Sequence, residues 1–91
     1  MRDKQFVIDS IKMDLHRVVN ATGDITKEIP TQSVIEFMQH ADKDFDKTEL
    51  TEREIKLREQ LKQLLVKLAE IKDPHTRLKW TEDVMTVRCR L

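Results

Sequence analysis

Residues 42 to 46 read DKDFD, and three aspartates at alternate positions, Asp42, Asp44 and Asp46, are how a calcium loop of the EF-hand type begins. Such a loop then needs a glycine at position 6 for its sharp turn, an apolar residue at 8 and a bidentate glutamate at 12. Here those positions hold Lys47, Glu49 and Arg53. The turn residue and the closing ligand are both missing, and two of the replacements are cations. Glu54 lies one position late and belongs with Thr51 in a capping box, where each side chain reaches the other's backbone N–H. Phe45 also continues the apolar spacing of the preceding segment, which makes this stretch the end of a helix. On a helix Asp42 and Asp46 are neighbours while Asp44 faces away, so the three cannot surround one ion. The expected role of Asp42, Asp44, Asp46 and Glu49 is an acidic, solvated helix end that serves as a docking surface.

The other chemistry-bearing residues are scattered. His16, His40 and His75 fall on three different predicted helices, and none has a partner at a recognised metal-ligand spacing. His16 could be imagined as a phosphoryl acceptor, but bulky Val18 and Val19 stand where a partner would need room. Cys89 is the single cysteine, so no disulfide framework exists within the chain. Arg88 and Arg90 would favour its thiolate, but a nucleophile also needs a base and an oxyanion site, and a chain end frays. A lone glycine, Gly23, excludes glycine-rich phosphate cradles. The expectation is a non-enzyme with no cofactor and no metal.

Charge is balanced overall, with 17 Lys and Arg against 17 Asp and Glu, but it is unevenly placed. Residues 42–54 hold six acids and three bases, net −3, whereas residues 74–91 hold Arg77, Lys79, Arg88 and Arg90 against two acids, net +2. An acidic block and a basic tail can meet within one chain or across a symmetric dimer. Nucleic-acid binding through the four tail cations is the alternative. It is disfavoured because the chain is neutral and because a recognition helix starting at Thr51 would put glutamates against phosphate.

The positioning elements follow from periodicity. Charged residues make up 37% of the chain, turn-formers are few, leucine is the commonest apolar residue, and Glu, Lys and Arg help fill the surface, which is helical composition. Ile8, Ile11, Leu15 and Val18 are spaced by threes and fours, which predicts a first helix over 3–22, stopped at Gly23. Val34, Met38, Ala41 and Phe45 predict a second over 31–46, opened by Pro30 and by a Ser33–Glu36 capping box. Leu57, Leu61, Leu64, Leu68 and Ile71 predict a third over 51–72, of which residues 52–72 would span about 31 Å and could cross the whole domain as its spine. Asp73-Pro74 is a good N-cap followed by proline at the first helical position, predicting a fourth over 74–89. In that last segment Trp80, Val84, Val87 and Leu91 have helical spacing, whereas Met85, Val87, Cys89 and Leu91 alternate as a strand would. Helix is the reading carried forward, with the final residues open to an extended form.

The whole is therefore expected to be all-α, a compact four-helix bundle forming one domain over residues 1–91. Its core should contain Ile8, Ile11, Leu15, Val18, Val34, Met38, Phe45, Leu57, Leu61, Leu64, Leu68, Trp80 and Val84. No secretory leader and no membrane-spanning run is read in it, which leads to an expected cytoplasmic location. The function expected is a protein–protein interaction module, a small regulator or adaptor acting as a homodimer with an unknown protein partner.

Overall fold

Asp3 accepts a hydrogen bond from the Phe6 N–H at 2.8 Å and so caps the first helix, α1, Lys4–Gly23. In the computed structural model, which describes residues 3–91, three more helices follow: α2 at Thr31–Asp44, α3 at Glu52–Lys67 and α4 at Pro74–Arg90. Short 3₁₀ turns extend α2 over Phe45–Lys47 and α3 over Leu68–Glu70. The expected single domain also includes Met1 and Arg2, which lie outside the described residues. The chain is all-α, and α4 runs helical through Arg90, which settles its ambiguous end.

Two of the three expected caps form. The Thr51 hydroxyl accepts from the Glu54 N–H, and the Glu54 carboxylate accepts from the Thr51 N–H at 2.9 Å, the reciprocal box that starts α3. Asp73 accepts from the Thr76 N–H at 2.7 Å, with Pro74 just inside α4. The Ser33–Glu36 box does not form. Helix α2 already starts at Thr31, with Pro30 at the cap position and no side-chain cap, so Ser33 lies within the first turn. The Val34 N–H bonds the Pro30 carbonyl, which puts the cap position three residues before Ser33, while the helix starts at Thr31 as expected.

Helix α1 packs on α2 and α4, and α3 packs on the same two helices from the other side. The four form a ring in which sequence neighbours are antiparallel, as short connections require. The molecule measures 42 × 21 × 18 Å, about two helices thick and wide. All 13 expected core residues are buried, joined by Val7, Ala41 and Val87. Phe45, the bulkiest fully enclosed side chain, stands on the 3₁₀ turn after α2. Burial of such a residue stabilises by roughly 2–3 kcal/mol.

The spine is α1 rather than α3. Seven of the 20 residues of α1 are buried, against three of 16 in α3. Helix α3 is also shorter than its apolar stripe. The Leu68 N–H bonds the carbonyl of Leu65, three residues back, and the Trp80 indole N–H bonds that of Leu64 at 2.8 Å. A tryptophan buried in this way satisfies its one donor and holds the end of α3 against α4. Ile71 then leaves the helix axis and is only partly buried.

Candidate functional site

The end of α2 distributes its aspartates to two flanks of one apolar stripe. Successive helical residues are turned by about 100°, so positions two apart point nearly oppositely and positions four apart nearly alike. Asp42 and Asp46 point toward α3, where Arg58 meets both. Its Nε lies 3.0 Å from Asp42 and its Nη1 2.8 Å from Asp46. The guanidinium carbon also lies 5.7 Å from the centre of the Phe45 ring, which adds a cation–π contact. The Arg58 hydrogen bond is the main cause holding the Asp46 carboxyl below its usual range, and the same contacts raise Arg58 above its own.

Asp44 goes the other way and is buried, which corrects its expected place on a solvated surface. It faces α1, where the Ser10 hydroxyl donates to its Oδ2 at 2.9 Å. Lys47 Nζ lies 2.8 Å from its Oδ1. Burial pushes the Asp44 carboxyl up, but the close Lys47 ammonium, the Ser10 hydrogen bond and the charge of His40 outweigh it and hold the group below the usual carboxylate range. Glu49 remains exposed beyond the turn.

The same flank holds a cluster that sequence spacing does not announce. His40 precedes Asp44 by one helical turn, and Asp14 reaches them from α1. His40 Nδ1 lies 2.5 Å from Asp14 Oδ2 and 3.7 Å from Asp44 Oδ2. Since an ionised carboxylate only accepts, that nitrogen carries the ring's proton toward Asp14. The second oxygen of Asp14 accepts from Arg17 at 3.0 Å, and Arg17 lies over the Phe37 ring of α2. Asp14 is buried because it sits beside Ile11, Leu15 and Val18, on the α2 side of that stripe. The one available signal was the four-residue spacing of His40 and Asp44. The third member comes from 26 residues earlier and only through folding.

The basic segment of α4 divides in a similar way. Arg77 is buried, and its guanidinium donates to three carbonyls: Thr22 at 2.7 Å, Asp24 at 2.7 Å and Lys27 at 2.6 Å. It closes the C-terminus of α1, whose last carbonyls lack helical partners. Gly23 therefore marks the helix end without adopting a left-handed conformation. Beside it the Thr22 hydroxyl donates to the Val18 carbonyl, so the Thr81 hydroxyl, 2.7 Å away, is the donor of the pair. Arg88 is half-buried and donates through Nε to the Lys12 carbonyl at 3.2 Å. Lys79 and Arg90 remain on the surface. Lys79 pairs with Asp83 at 2.7 Å, which raises its pKa, and the Arg90 carbonyl accepts from Arg53.

Of the two ways the acidic block and the basic tail could meet, the one within a single chain does not occur as charge pairing among the described residues. Asp42 and Asp46 pair with α3, Asp44 faces α1, and Arg77 and Arg88 bind main-chain carbonyls. His16 is exposed beside Asn20, His75 is exposed at the start of α4, and Cys89 is an exposed free thiol. No helix among the described residues is long and apolar enough to cross a membrane.

Comparisons of this chain with protein-family models, with curated protein sequences and with solved structures return no match.

Proposed function

We propose that this chain is a non-catalytic helical interaction module, a small cytoplasmic regulator or adaptor that acts as a homodimer. The observation that carries the reading is the outer surface of α1 and α4. These adjacent helices each expose large apolar side chains seven residues apart: Phe6 and Met13 on α1, Leu78 and Met85 on α4. Seven residues is nearly two full turns, so each pair lies along one line of its helix. Large apolar side chains aligned on neighbouring elements mark association surfaces better than scattered ones do. Lys79 and Arg90, both exposed, and the partly buried Asp83 border the α4 line with charge, a polar rim for such a surface.

Sedimentation velocity over a range of concentrations tests the homodimer. The expected result is a concentration-dependent dimer that Leu78→Glu with Met85→Glu returns to a folded monomer. A wild-type chain that stays monomeric at every concentration ends the homodimer reading.

The nucleic-acid alternative is weakened by the placement of its cations. Arg77 is inside the fold and Arg88 is bound to a carbonyl, which leaves Lys79 and Arg90 facing out. A duplex-binding titration at two salt concentrations separates the readings, because phosphate contacts weaken steeply with salt. Tight, salt-sensitive binding abolished by Arg90→Ala would restore the alternative.

A further inference from the structure

Two buried carboxylates from different helices converge on one accessible imidazole. The Asp14 and Asp44 side chains are 4% and 2% exposed, whereas that of His40 is 58% exposed. Nδ1 carries at most one proton, and the contact to Asp14 takes it. Asp44 Oδ2, at 3.7 Å, is beyond hydrogen-bond reach of that nitrogen. Asp44 has a second deficit. Its enclosed Oδ1 receives no directed hydrogen bond, although the Lys47 ammonium lies beside it at 2.8 Å as a charge. Buried carboxylate oxygens without directed donors are uncommon and call for a partner. The one proton on Nδ1 cannot serve both carboxylates, but one cation can bridge all three residues.

We propose that Asp14, His40 and Asp44 bind a divalent transition-metal ion of the zinc class across the α1–α2 interface. The three ligand atoms lie within 4.8 Å of one another. Ligands about 2.0–2.1 Å from a tetrahedral ion are separated by about 3.3 Å, so adjustments on the order of 1 Å suffice. The exposed imidazole can supply those at His40, drawing back from Asp14 and closing on Asp44. Metal would replace the proton between His40 and Asp14, and solvent on the exposed side of the ring would fill the fourth position. The surroundings fit an outer shell: Arg17 holds the far oxygen of Asp14, and Ser10 and Lys47 hold Asp44. A nitrogen donor favours zinc, cobalt or nickel over calcium, which takes oxygen ligands. Arg17 and Lys47 offset the two carboxylates, so the site should bind less tightly than a fully anionic one.

The test is calorimetric titration of the full chain with zinc, repeated with cobalt and read by visible absorption. Expected are one ion per chain, proton release on binding, and a raised melting temperature. His40→Gln should weaken binding by at least about a hundredfold while leaving the helical circular dichroism intact. His16→Gln, His75→Gln and Cys89→Ser should bind as the wild type does. The proposal is overturned if zinc and cobalt do not bind, if binding survives His40→Gln, if it is lost in one of the other three variants, or if calcium binds more tightly than zinc. None of these outcomes depends on whether the chain dimerises.

Discussion

The acidic end of α2 and the basic α4 carry similar local charge in opposite sense, and each sends one member into the fold. The two buried members are satisfied differently. Arg77 donates to three main-chain carbonyls at the end of α1, groups that no side-chain substitution can remove. Asp44 accepts from the Ser10 side chain, pairs with the Lys47 charge, and lies beside the half-open imidazole of His40. The first arrangement is a structural plug with one stable state. The second is adjustable, because its partners can swing away or be replaced by an ion. Buried charge alone therefore does not separate structure from function; the kind of partner does.

Breaking the plug should have the larger effect. Arg77→Ala leaves carbonyls at the α1 terminus without their donor, and urea denaturation should show a loss of about 3 kcal/mol. Asp44→Ala should lose about 2 kcal/mol, since Ser10 is on the rim and Lys47 can turn to solvent. A larger loss for Asp44 than for Arg77 would reverse the comparison. A smaller effect sharpens it locally: Thr51→Ala removes a formed capping box and should lose about 1 kcal/mol. Ser33→Ala, at the box that does not form, should stay within about 0.5 kcal/mol of wild type. Smallest of all, Lys79→Ala breaks only an exposed pair and should leave the urea midpoint unmoved.

Acid should act on both sides of the comparison, because the carboxyls of Asp24, beside the Arg77 plug, and Asp73, at the cap of α4, are also held below their ordinary values. Asp44, Asp46 and Glu54 have carboxyls held below their ordinary values in the folded chain. A depressed carboxyl contributes stability that is present above its unfolded pKa, about 3.9–4.3, and is lost as pH falls through the lower folded value. Thermal melts should therefore show no carboxylate-driven loss between pH 7 and pH 5 and a marked fall below about pH 4. In Asp44→Ala that fall should be shallower, because one of its contributors is gone.

The helices were legible because their apolar stripes are long and regular. Every expected core residue is buried, and the Thr51 and Asp73 signals mark real helix starts. The opposite orientation of Asp44 relative to Asp42 and Asp46 also follows from helical spacing. Its burial does not, because spacing alone cannot say which flank a neighbouring helix covers. Ser33 misled for a similar reason: the capping pattern was present, but a turn at Ile29–Thr31 starts the helix earlier. Arg77 was counted as surface charge because its three acceptors are carbonyls more than 49 residues earlier in the chain, invisible to local reading. Asp14 joins His40 only when α1 lies along α2.

The indole that closes α3 gives the fold its own optical probe. Trp80 is the single tryptophan, the chain has no tyrosine, and the ring is 4% exposed at the joint between α3 and α4. Its emission should be blue-shifted in the native state. A partial opening that lifts α3 from α4 should move that emission to the red before helix content falls, and a change confined to the α1–α2 interface should leave the emission unchanged.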